Sequence, residues 1–277
     1  MPSVLLGLPL AGLSAEAAAV LAFAVFTGLA AYAVTRERWT TLACFAGPSM
    51  VACAQNAQVT PLILAAMFAP PAFAMVFSVV KPTTGAAAWL WQPTPAATRW
   101  AIVGGAALCL VGLLIAPRWP VEWVQTGLRG NYARSPVLSA WFGPIWFGPL
   151  LLLAAIRWRR EEARLLLGLA CIPHTLFWAD EMLLGVVPRT WREAFYGTMA
   201  SHLIYQMWAL EQHLRHPGFR IAWEGVPWSI AALYLPPLFL ILRRQNVGDV
   251  PAWLDRAVNG MRASGALARG ARAEETR

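Results

Sequence analysis

Charge is what this sequence has little of. Asp, Glu, Lys and Arg make up 13% of its 277 residues, against about 25% in an ordinary soluble domain. That is too little polar cover for a soluble core of this size, so the composition points to a membrane protein. Lysine is almost missing: Lys81 stands alone against 21 arginines. Cysteine is sparse. Cys44, Cys53, Cys109 and Cys171 sit in apolar runs without metal-ligand spacing, which argues against zinc and disulfide frameworks and for small buried hydrophobes. There is no Gly-rich phosphate loop, metalloprotease His pair, Cys pair or nucleophile elbow. The sequence therefore calls for no metal and no cofactor. No basic leader precedes the first apolar run, since the first basic residue is Arg36. The net charge of +8 would suggest nucleic acid in a soluble protein. Here the basic residues lie between apolar runs, where lipid headgroups explain them better, and no nucleic-acid partner is expected.

What is present in quantity is uncharged chain. Ala17–Thr35, Trp100–Pro117, Ser135–Ile156, Ala194–Leu210 and Gly225–Leu242 are uncharged runs of 19, 18, 22, 17 and 18 residues. About 20 apolar residues cross a bilayer as a helix. The longest uncharged run covers the 42 residues between Arg38 and Lys81, yet Gln55, Asn56, Gln58, Pro48, Pro61, Pro70 and Pro71 interrupt it. It reads as several short or broken helices, a pattern that lines sites inside membranes. Trp119–Arg134 places Trp119, Trp123, Val124 and Leu128 near one helical face and reads as an interfacial helix.

These runs predict an all-α, polytopic membrane bundle of seven to ten segments over residues 1–242, followed by a basic cytoplasmic tail over 243–277. The tail should carry a short surface helix with Trp253, Leu254, Ala257, Val258 and Met261 on one face, then disorder. Arg36–Arg38, Arg157–Arg164 and Arg243–Arg244 mark the cytoplasmic side. Parity then requires Leu165–Val187 to be a hairpin turning at Asp180-Glu181 or a re-entrant element. The expected location is the inner or plasma membrane, with lipids as partners.

Few residues remain for chemistry. Asp180 and Glu181 follow fifteen uncharged residues; acids at membrane depth face a cavity or a partner, whereas acids in a loop are ordinary. Lys81 can hold a phosphate or anchor a helix end. Arg189 and Arg192 can clamp a phosphate by forked contacts, with Arg118 a weaker candidate. Gln55, Asn56 and Gln58 can bind a sugar or satisfy a helix break. His174 can act as a base or sit satisfied in the core, and His202 is more simply a core residue.

Several motifs recur together: QNAQVTPLILAAM, Lys81-Pro82, Pro136 ahead of a Trp- and Gly-rich helix, IRWRREEARLLLGLACIP and DEMLLGVVPRTWREA. In that order they resemble the C-terminal two-thirds of polyprenol-phosphate-sugar-dependent membrane glycosyltransferases, the bacterial mannosyl- or arabinosyltransferase-like family of GT-C architecture, over about Trp39 to Leu242. The resemblance implies an all-helical enzyme that moves a sugar from a polyprenyl-phosphate donor to an extracytoplasmic acceptor. It implies Asp180 as catalytic carboxylate and Gln55, Gln58, Lys81 and Arg189 as substrate-binding residues; Arg192 joins them from its own reading as the second arm of a phosphate clamp. The family's catalytic acid lies in its first extracytoplasmic loop, but the only acid here before Glu37 is Glu16. The expectation is therefore a chain lacking the first helices and that base: truncated, split, dependent on a partner membrane subunit, or inactive.

Two other readings stay open. A non-catalytic scaffold or accessory subunit would show no polar cavity. A lipid or small-molecule transporter would show a mid-membrane site between related halves. The transferase reading predicts Lys81, Arg189 and Asp180 around one cavity near the outer leaflet.

Overall fold

The computed structural model describes residues 4–55, 58–130, 137, 148–173, 182–215 and 226–260. Among them the chain forms helices and turns and no strand. Two helices are long and apolar enough to cross a membrane: α1, Ala15–Glu37, and the Pro95–Ile115 helix. Ser14 caps α1 by accepting from the Ala17 N–H, and Glu16 and Arg36 lie at the ends that suit the helix dipole. Only Ala30 and Val34 of α1 are buried, although the helix is apolar all round.

The uncharged stretch after α1 breaks where its prolines fall. A 3-10 helix over Trp39–Ala46 ends at Gly47-Pro48. There follow α2, Pro48–Gln55; α3, Thr60–Met67; a 3-10 turn at Pro71–Ala74; α4, Met75–Val79; and α5, Pro82–Trp89. Each of α3 and α5 has eight residues, about 12 Å of rise, against about 35 Å for the 23-residue α1. The α4–α5 hairpin, with Lys81 at its corner, is very close. A Cβ on Gly85 would meet the Phe77 carbonyl, so glycine is obligatory there.

Helix α6, Pro95–Ile115, is capped by Thr94, whose hydroxyl accepts from Ala97 at 3.1 Å. Its hydrogen bonding loosens to a π turn over Trp100–Gly104, and Ser78 donates to the Ala101 carbonyl at 2.7 Å. Gly104 and Gly105 let α6 pack closely on Met75 and Ser78, and its later turns are largely exposed, with Leu114 84% exposed. After α7, Trp119–Gly130, and a 3-10 helix over Pro149–Arg157 comes α8, Glu161–Cys171, which is buried along most of its length. Then follow α9, Met182–Val186, α10, Trp191–Arg215, α11, Ile230–Leu242, and α12 over 252–260. Neither α8 nor α9 is long enough to cross a bilayer; Asp180 and Glu181, the expected turn between them, lie outside the described residues.

The described part of the tail, through residue 260, packs back on the bundle. Trp253 of α12 stacks on Trp89 with ring centroids 6.2 Å apart, and Asp255 pairs with Arg159 at 2.8 Å.

The ends of the elements sort into levels. The last residues of α1, α3, α5 and α9 and the first of α8 line one cavity, through Glu37, Met67, Trp91, Val186 and Glu161. Arg157 donates to the Leu242 carbonyl, so α11 ends there as well. This is the charged end of the molecule. The starts of α3 and α5 lie about 12 Å away along their axes.

Gly85→Ala should destabilise the protein by about 1–3 kcal/mol through overpacking of this hairpin. Gly28→Ala, in open space on α1, should be neutral or gain up to about 1 kcal/mol. Thermal unfolding of the two variants in detergent checks the contrast.

Candidate functional site

At the charged end, three guanidiniums meet on one buried carboxylate, and one of them also reaches a second, a group of five ionisable side chains from three stretches of chain. Glu162, in the first turn of α8, is 1% exposed. Its Oε1 accepts from Arg160 at 3.0 Å, Arg189 at 3.0 Å and Arg244 at 3.1 Å. Arg244 also donates to Glu193 at 2.9 Å and to the Val187 carbonyl at 2.8 Å. Glu193 accepts in addition from the Arg189 backbone N–H at 2.7 Å. The group carries one net positive charge. Glu162 Oε2 is buried and makes no hydrogen bond to the protein.

Burial pushes the Glu162 carboxyl up. The Arg160 hydrogen bond, its own backbone N–H and the charges of Arg160 and Arg189 outweigh that and hold it below the ordinary carboxylate range. Arg164, two residues on, forms no ion pair with a described acid, although its charge acts on Glu161 and Glu162. Its guanidinium caps the carbonyls of Leu90, Trp91, Trp158 and Arg159. This places the end of α5 against the start of α8.

The other candidates scatter. Lys81 precedes α5 and so lies a helix length from Arg189, whose guanidinium belongs to the Glu162 network. Neither Lys81 nor Arg189 lines the cavity described below. Gln58 precedes α3 at the same level as Lys81, and its N–H donates to the Cys53 carbonyl. Arg192 is exposed at the start of α10, and Arg118 is exposed between α6 and α7. The side chain of Gln55, and Asn56, His174 and Asp180 entirely, lie outside the described residues. His202 meets the Ala46 carbonyl and Thr198 donates to that of Ala43, so these polar side chains of α10 serve the 3-10 helix before Pro48.

Arg160, Glu162, Arg164 and Glu193 were not candidates in the sequence. Thr190-x-x-Glu193 was a readable capping signal: the Thr190 hydroxyl accepts from the Glu193 N–H at 3.2 Å. The other three sat in a run that looked only like a topological marker.

Beside the network lies a cavity of about 220 Å³. Glu37, Arg38, Gln92 and Glu161 line it, and Met67 and Trp91 form its buried walls. Burial and the neighbouring Glu162 charge raise the Glu161 carboxyl above its ordinary value, against the opposing pull of Gln92, Arg164 and Arg38.

No family model matches the chain, and no curated protein or solved structure matches it either.

Glu162→Gln should cost about 3–5 kcal/mol, because three guanidiniums then share a neutral amide. The lowered Glu162 pKa makes its contribution complete above the ordinary value of 4.5. That contribution is lost as pH falls through the folded-state value. Unfolding midpoints against pH should therefore lose part of their acid limb in the variant. Identical limbs in both proteins would refute the assignment.

Proposed function

We propose that the chain is a multi-pass membrane protein of the polyprenyl-phosphate-sugar transferase type, with the donor phosphate held by Lys81 and Gln58. The observation that carries this reading is the position of the single lysine. Lys81 is the residue before α5, about 12 Å from the charged end, while α1 beside the bundle is about 35 Å long. With the charged end at the cytoplasmic surface, Lys81 stands within the hydrocarbon, in its cytoplasmic half and not at the outer leaflet where the family resemblance puts the site. A cation there is costly and marks a binding site for an anion.

Two features support it. The starts of α3 and α5 both bring helix N-termini to the level of Lys81, which favours negative charge. Thr60 and Thr84, in the first turns of these helices, are fully buried, and their hydroxyls make no hydrogen bond to the protein. The outward face of α1 between Ala17 and Thr35 and that of α6 beyond Arg99 are apolar, and Trp39 and Trp191 are exposed near the charged end, where interfacial tryptophans belong. Asp180 enters as the catalytic base through the family resemblance.

A non-catalytic accessory subunit is the second reading. It is favoured by Arg189, which the resemblance offers to the donor but which here is tied to Glu162.

The test is sugar transfer in proteoliposomes from polyprenyl-phosphate mannose or arabinose. Lys81→Ala and Asp180→Asn should each lower turnover by about a hundredfold or more, with Arg192→Ala near wild type. Unchanged turnover in both variants overturns the site, and an inactive wild-type protein leaves the accessory reading. A protein that stays monodisperse in buffer without detergent refutes the membrane placement itself.

A further inference from the structure

The geometry points to a second binding site, in the cavity at the charged end, for a small zwitterion of the phosphoethanolamine type, free or as a lipid headgroup. It is independent of Lys81 and of any transfer reaction.

The cavity is built in two layers. Its floor is Met67 and Trp91, both buried, with Phe68 beside Trp91 at a centroid separation of 6.2 Å. Its rim is charged: Glu37 and Gln92 are exposed, and Arg38 and Glu161 are half-buried. Two carboxylates face one guanidinium on the rim; Arg164 adds its charge from behind Glu161, but its N–H groups are taken by carbonyls, so the carboxylates keep room for a ligand's donor. Among the described residues no third His, Cys, Asp or Glu joins the two acids to hold a metal ion.

An organic ammonium fits better. It can pair with Glu161 and Glu37 and rest on aromatic faces, which attract cations. The nearest protein cation to Glu161 on its own helix, Arg164, is already committed to four carbonyls. Arg38 lines the same space and would repel a bare amine. A ligand that carries an anionic group beside its ammonium turns that repulsion into a second contact, and phosphate suits a guanidinium fork. The volume of about 220 Å³ is below the roughly 300 Å³ at which drug-sized pockets begin. It admits a headgroup but not a larger metabolite.

The probes are phosphoethanolamine and dihexanoyl phosphatidylethanolamine, titrated calorimetrically into the full chain in detergent free of that lipid. Saturable binding of one or both is expected, at least tenfold tighter than ethanolamine or inorganic phosphate alone. Binding of free phosphoethanolamine identifies a soluble ligand; binding of the short-chain lipid only identifies a headgroup. Glu161→Gln and Arg38→Gln should each weaken binding tenfold or more, and Lys81→Ala should not change it. Glu37→Gln provides the same charge test if Glu161→Gln unfolds. Affinity should fall on acidification, starting above the ordinary glutamate value of 4.5, as Glu161 takes up a proton. No binding of either probe, or equal binding by the charge variants, overturns the proposal.

Discussion

Three stretches of chain depend on one carboxylate. Glu162 begins α8, Arg160 closes the turn before it, Arg189 precedes α10, and Arg244 follows α11. Each ion gives up hydration to enter this site, so the cluster is weak evidence for stability. It is much stronger as a constraint on arrangement. Removing one partner leaves a buried charge, so the starts of α8 and α10 and the end of α11 must come together. Arg164 extends the constraint by binding the end of α5 through its carbonyls. Once those ends are gathered, the start of α5, and with it Lys81, is held a helix length away.

Two polar side chains of α10 turn inward. On α10, Thr198 and His202 turn toward the carbonyls of Ala43 and Ala46, next to a proline that brings no N–H. On the opposite face Tyr196, Met199, Leu203, Leu210 and Leu214 are exposed. In water this would be an inverted helix. In hydrocarbon it is the stable arrangement, since backbone and side-chain polar groups there must find partners within the protein. The uneven hydropathy of α10 follows from the same fact: its inward residues are satisfied by neighbours, not by solvent.

The long helices and the breaks were legible because their signals are local. The run Ala17–Thr35 lies within α1, and Trp100–Pro117 overlaps α6, which starts earlier at the Thr94-Pro95 cap. Pro48, Pro61 and Pro82 each sit in the first turn of a short helix. The ion network was not legible because its partners are far apart in sequence. Glu162 is 27 residues from Arg189 and 82 from Arg244. No periodicity distinguishes a buried glutamate with three arginines from a hydrated loop. The docking of α12 was hidden for the same reason: its surface-helix face includes Trp253, and the ring that receives it, Trp89, is remote in the chain.

The lopsided use of arginine now has a physical reason. Arg164 spans four carbonyls, and Arg244 bridges two carboxylates and a carbonyl. Such contacts need a planar fork with several donors, which an ammonium does not supply. Arginine is therefore the residue that builds this fold, at the end where helices must be tied together. Lysine is a compact point charge with no part in that work. Its one occurrence falls where no such knot exists, at the start of an eight-residue helix beside Pro82. The one lysine is thus left out of the contacts that tie the helix ends together, which is why its position, and not its number of partners, sets it apart from the arginines.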